Sequence, residues 1–124
     1  MPDVTIMDIS DIEPYSGPHA LPGIRYRAAR QALGVEAWGM NVIELDPHCV
    51  DYPEHNHVAD GQEEVYVVLD GSATVHLADA RHELHRGQMM RVAPSQVRKF
   101  TTGEDAVTLL IIGGTPGAAY APES

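Results

Sequence analysis

From Val35 onward the chain is a succession of short, β-branched-rich runs, each closed by a turn signal. Turn signals recurring about every 8–12 residues leave no room for a long helix and select an antiparallel sandwich or barrel. The runs are Ala37 to Leu45, ended by Asp46-Pro47, then Tyr52 to Val58, then Glu64 to Leu69, which stops at Asp70-Gly71. Ser72 to Ala78 follows, then His82 to His85, Met89 to Ala93 before Pro94, Val97 to Thr101, and Ala106 to Ile112 before Gly113-Gly114. The reading is all-β, with seven or eight strands. Residues 1–35 lack this rhythm. Pro14, Gly17, Pro18, Pro22 and Gly23 make them mostly loop. Arg27 to Gly34 suits a short helix ended by its glycine. Laid across a sheet, it would cover an edge or a barrel end. The expected organisation is an N-terminal arm over 1–35, a barrel over 36–115 and an extended tail over 116–124.

Charge narrows the partners. Acidic residues number 18 against 8 basic ones, and the formal charge is −10. Such a chain repels nucleic-acid backbones and anionic lipid, so neither is an expected partner; a small molecule is. Cys49 is the single cysteine, which excludes an intrachain disulfide and fits a reducing compartment. No apolar run approaches the ~20 residues that span a bilayer. The start, Met1-Pro2-Asp3-Val4, shows no basic region followed by an apolar one. The expectation is a cytoplasmic protein.

The chemistry concentrates between Glu54 and Glu64. On a strand, residues two apart share a face, so His55 and His57 would project together. A carboxylate from the next strand completes a pocket, and Glu64 is the candidate, with Glu63 facing outward. Two imidazoles and one carboxylate with open positions suit non-haem Fe(II), and Zn²⁺ accepts the same set. His-x-His on a short strand is by itself a common surface pattern. The acidic pair and the Asp60-Gly61 turn that follow favour a pocket, because they place a carboxylate on a paired strand.

These residues resemble the cupins, a family of small jelly-roll β-barrels. The first cupin motif is similar to Pro47, His55, His57, Glu64 and Gly71, with six residues between Glu64 and Gly71. The gap between His57 and Glu64 is longer than usual, and an insertion at Asp60-Gly61 would absorb it in a hairpin loop. The second motif resembles Gly87, Pro94 and the run Ser95 to Phe100, and is more degenerate. The resemblance covers about residues 36–113. It implies an antiparallel jelly-roll barrel that holds one divalent metal ion, iron, manganese, nickel or zinc, or none. It also implies a homodimer, and the leader is long enough to swap onto a neighbour.

The departure lies at Arg98, where the second motif resembles a position normally held by a ligating histidine. Arginine has no lone pair to give and stays protonated. Beside a dication at ~5 Å, its charge costs about 6–7 kcal/mol at an effective dielectric near 20, an upper bound. Three arrangements are open. Arg98 pairs with Glu64 and no metal binds; it grips an anionic ligand bidentately; or it turns out of the barrel and leaves His55, His57 and Glu64 as a three-ligand site. The enzymatic reading gives Glu64, Tyr66 and Arg98 catalytic work on a small acidic or carbonyl-containing substrate, by dioxygenase, isomerase or lyase chemistry. In the alternative, a metal-free cupin binds a small molecule or serves as scaffold, with Glu64 paired to Arg98.

Other residues take structural roles. Tyr66 and Val68 alternate with Glu64 and should line the interior, as should Phe100. Trp38, Met40, Met90 and Val92 read as core or pocket wall, and Met89 as outward. His76, His82 and His85 read as hairpin surface. Cys49, in a turn after Pro47, reads as a plain thiol. Gln62 gains an oxygen-ligand role only if its loop folds back.

Overall fold

The computed structural model describes residues 3–122; the outermost residues of the expected arm and tail, 1–2 and 123–124, lie outside them. The elements are β1 (Ile24–Arg27), α1 (Ala29–Leu33), β2 (Gly39–Leu45), β3 (Glu63–Leu77), β4 (Arg81–His85), β5 (Met89–Val92), β6 (Arg98–Thr101) and β7 (Val107–Gly114). All pairings between strands are antiparallel. One sheet runs β1-β2-β7-β3-β5, and a second runs β4-β3-β6. The fold is the jelly-roll barrel the resemblance implies.

The strand that closes the barrel is β3, and here the sequence reading needs correcting. Asp70-Gly71 does not end a strand. The 15 residues of β3 run straight through it. The pairing with β7 slips between Val68 and Asp70, which marks a β-bulge. Gly71 sits at φ +73°, where a Cβ would also collide with the Ala106 carbonyl. A left-handed glycine inside a strand bends it rather than ending it. The bend carries β3 from the first sheet into the second, so Glu64 and Val75 belong to one strand but to different walls.

The expected strand over Tyr52 to Val58 is also absent. What remains is one bridge, His55 to Arg98. Its two hydrogen bonds run from His55 N–H to the Arg98 carbonyl (3.1 Å) and from Arg98 N–H to the His55 carbonyl (3.0 Å). Pro53 lacks a donor. Asn56 and Asp60 turn their side chains onto the backbone instead, accepting from Val58 N–H and Gln62 N–H at 3.1 Å each. The result is a loop over 56–62, pinned at both ends.

Burial alternates where the strands are regular. Along β7, Val107, Leu109 and Ile111 are buried; along β3, Glu64, Tyr66 and Val68 are. Phe100 is fully buried. It meets Tyr66 at 4.9 Å and Tyr52 edge-on at 5.3 Å between ring centroids. Met89 is exposed and Val92 buried, as the alternation requires. Trp38 departs from expectation. It precedes β2, is 45% exposed, and forms no part of the core.

The leader contributes β1, which pairs along β2, and α1, whose C-cap Gly34 is left-handed. Arg27 fastens it: Nε donates to Glu44 at 2.9 Å and Nη1 to the Ile12 carbonyl at 2.6 Å. Ile12, Ala29 and Val42 form a small second cluster there. The tail is not simply extended. It turns at residues 115–118, and Tyr120 comes back to lie under Arg30, 5.7 Å from ring centroid to guanidinium carbon. Among the described residues, no helix is long and apolar enough to cross a membrane.

Candidate metal centre

Three elements deliver the three candidate ligands. The bridge to Arg98 holds His55. His57 is held by its N–H, which donates to the Pro94 carbonyl at 2.8 Å. Glu64 opens β3 between Val92 of β5 and Gly113 of β7. Gly113 makes the room: a Cβ there would stand 3.0 Å from Gln62 Oε1 and 3.3 Å from Glu64 Cγ. One ligand atom from each of His55, His57 and Glu64 lies within 4.8 Å of the others.

The hydrogen bonds around the imidazoles decide what those atoms can do. His55 Nδ1 is 3.0 Å from the Pro53 carbonyl oxygen, and a carbonyl only accepts. That nitrogen therefore carries a proton, and in the neutral ring the lone pair is on Nε2. His57 Nδ1 lies 3.1 Å from both oxygens of Asp60, with the same consequence. Each histidine is thus oriented by an acceptor on its far nitrogen, the arrangement that surrounds metal-bound imidazoles. His57 Nε2 then faces Glu64 Oε1 at 3.3 Å. Two lone pairs at that distance repel unless a cation, a proton or a metal ion, sits between them.

Glu64 Oε1 collects further contacts. The Tyr66 hydroxyl donates to it at 2.7 Å, and Arg98 Nη2 stands 3.4 Å away. Burial, with the charge of Glu64 beside it, pushes the Tyr66 phenol well above its ordinary value. Burial likewise raises Tyr52, to about 12. Both phenols keep their protons through the physiological range, so Tyr66 remains a donor to Glu64.

Arg98 takes the inward course. It is fully buried, which removes the arrangement in which it turns out of the barrel. Nη1 donates to the Gln96 carbonyl at 3.0 Å, while Nε and Nη2 find no hydrogen-bond partner among the described residues. Its contact with Glu64 is a near approach rather than a formed hydrogen bond, and the three candidate ligands still converge beside it.

A cavity of about 580 Å³ opens onto this cluster. His55, His57 and Glu64 line it; Tyr66 and Arg98 stand behind its wall. Gln62 is buried and on the wall, so its loop does fold back. His82 and His85 are strand residues away from the site, and His76 bonds Thr101 at 2.8 Å. Sequence reasoning missed Asp60, Pro53 and Tyr52. Asp60 had a legible signal, a carboxylate three residues after a histidine in a turn; the other two had none, because their roles depend on the loop's path.

No curated protein matches the chain significantly. Solved structures do match. A cupin protein from Bacteroides fragilis aligns over 99% of this chain and 93% of its own, at 18% identity and a TM-score of 0.72. A cupin-superfamily sugar phosphate isomerase from Silicibacter pomeroyi aligns over 95% and 77%, at 20% identity and 0.77. A polyketide cyclase from Streptomyces resistomycificus aligns over 97% and 87%, at 18% identity and 0.72. At these identities the likeness is one of fold. The family model for the cupin domain matches residues 41–113, a span that takes in both histidines, Glu64 and Arg98. With more than half its length matched and its strands closed into this barrel, the chain belongs to the cupin family.

Proposed function

We propose that this chain holds one divalent metal ion, iron, manganese, nickel or zinc, through His55, His57 and Glu64. It would act on a small acidic or carbonyl-containing molecule in the adjoining cavity, as an enzyme of the dioxygenase, isomerase or lyase class. The observation that carries the reading is the pair of Nδ1 atoms engaged by acceptors, with His57 Nε2 3.3 Å from Glu64 Oε1 and one ligand atom of each of the three residues within 4.8 Å of the others. Two nitrogens and one oxygen suit all four metals.

Bound there, the metal would supply Lewis acidity toward a substrate oxygen. The protein's own groups do the rest. Asp60 fixes the His57 ring, and Tyr66 holds Glu64 in place. Arg98 adds positive charge behind Glu64, which weakens the site relative to one with a fourth ligand and favours an anionic substrate. The isomerase and the cyclase among the structural relatives share this barrel, and fold alone does not choose between such chemistries.

The test is elemental analysis and Zn²⁺ titration of wild type and His57→Ala. Near-stoichiometric metal that the variant loses is the expected result. Equal Zn²⁺ binding by both proteins would overturn the assignment. A second reading, a metal-free binder with Glu64 matched to Arg98, is favoured by their 3.4 Å approach. It predicts no retained metal after dialysis against any of the four ions. We further propose a cytoplasmic homodimer. The exposed Val4 and Ile6 of the leader favour association, and a monomer mass by light scattering would refute it.

A further inference from the structure

Beside the first cavity lies a second, of about 330 Å³. The leader forms its outer wall with Ala20, Leu21 and Ile24. Tyr26, Ile43, Tyr52 and Pro53 line both cavities, so these residues stand between the two. The two chambers differ in chemistry. The first carries the imidazoles, Glu64, Asp60 and Gln62. The second is walled by aliphatic side chains and aromatic rings, with His19 its one ionisable imidazole. Several of its apolar side chains are left partly wet: Tyr15 is 44% exposed, and Leu21 and Tyr26 are each 38% exposed.

We propose that the second chamber is a subsite for the apolar part of the ligand, whose acidic or carbonyl head sits at His55, His57 and Glu64. The inference rests on the metal-centre reading for the head and adds the class of molecule: an amphipathic acid with a medium alkyl or aromatic tail. Size supports this. A dry apolar cavity of about 150 Å³ already accepts benzene, and this chamber has 330 Å³. A ring bearing a short chain, or an unbranched chain of several carbons, would fit and would cover Leu21 and Ile24. Tyr26 and Tyr52 would flank the neck of such a ligand, where head meets tail.

The test is calorimetric titration of the Zn²⁺-loaded protein with unbranched 2-oxo acids of three to eight carbons. The expected result is a Kd that tightens about three- to fourfold per added methylene once the tail reaches the chamber. In Leu21→Asp, whose site lies in a surface turn, that gain should vanish while the three-carbon acid binds as in wild type. Equal Kd values along the series in wild type would overturn the proposal and leave the head site standing. If no oxo acid binds, the head assignment fails and the chamber is judged alone with indole. NMR shifts confined to Leu21, Ile24 and Tyr26 would then support it, and their absence would overturn it.

Discussion

Replacing Arg98 with methionine removes a full positive charge from behind Glu64 while keeping most of the side chain's volume. Arg98 Nη2 lies 3.4 Å from Glu64 Oε1. A zinc ion on that carboxylate sits about 2.1 Å from its oxygen, which puts metal and guanidinium roughly 5 Å apart. A charge of two against a charge of one repels by about 7 kcal/mol at that distance and an effective dielectric of about 20. Cavity water and the negative charge of Glu64 screen most of this. If about 2 kcal/mol survives, Zn²⁺ should bind Arg98→Met about thirtyfold more tightly than wild type. Arg98→His should gain more, because it removes the same charge and adds a lone pair. Competition against a chromophoric chelator at neutral pH measures all three constants. Folding should not obscure the comparison. The substitution removes two donors that have no hydrogen-bond partner among the described residues, but also the Nη1 bond to the Gln96 carbonyl and the charge beside Glu64. The metal-free stability should therefore fall by about 1–3 kcal/mol, and urea unfolding checks that the variants stay folded. Unchanged Zn²⁺ affinity in both variants would show that Arg98 does not face the metal, and the electrostatic account of this site would fall.

Three other outcomes follow from particular contacts. Asp60→Asn keeps an acceptor for His57 Nδ1 but removes its charge, and should weaken Zn²⁺ binding about tenfold in the same competition assay. Gly71→Ala should cost about 3 kcal/mol or more in urea unfolding, since φ is +73° and the new methyl meets the Ala106 carbonyl; a loss under about 1 kcal/mol would argue against the bulge. Tyr52 and Tyr66 are both raised in the folded chain, so below pH ~10 folded and unfolded states alike keep the protons, whereas between pH ~10 and ~12 only the unfolded chain releases them. Stability should therefore fall by about 3 kcal/mol per pH unit above pH 10, and by about half as much in Tyr66→Phe; a flat profile from pH 10 to 11 would contradict the burial of these phenols.

The sheet was legible because its signals are local. Val107, Leu109 and Ile111 alternate with half-buried partners, and any pleated strand must send them to one side. Gly34 stops α1 for an equally local reason. Asp70-Gly71 misled because the same left-handed glycine serves a turn or a bulge. Which one forms depends on the residue just before β7, Ala106, whose carbonyl sits where a side chain would be, some 35 residues away in sequence. β1 was missed for a related reason. Its four residues, Ile24–Arg27, include two arginines, which a period-two reading scores as surface. They are paired to Glu44 and Asp46 across the sheet, a compensation invisible without the register.

The site shows the same division at finer grain. Alternation placed Glu64 and Tyr66 on the inner face correctly, yet His55 and His57 share no strand. They converge because Asn56 and Asp60 bend the loop and because His55 bridges Arg98. The residue that departs from the motif is thereby one of the residues that builds the site: the Arg98 backbone positions His55 while its side chain bears on Glu64. A side-chain replacement at 98 leaves those backbone hydrogen bonds in place. The charge at Arg98 can therefore be varied without dismantling the histidine pair, and metal affinity in the variants reports on electrostatics rather than on a collapsed loop.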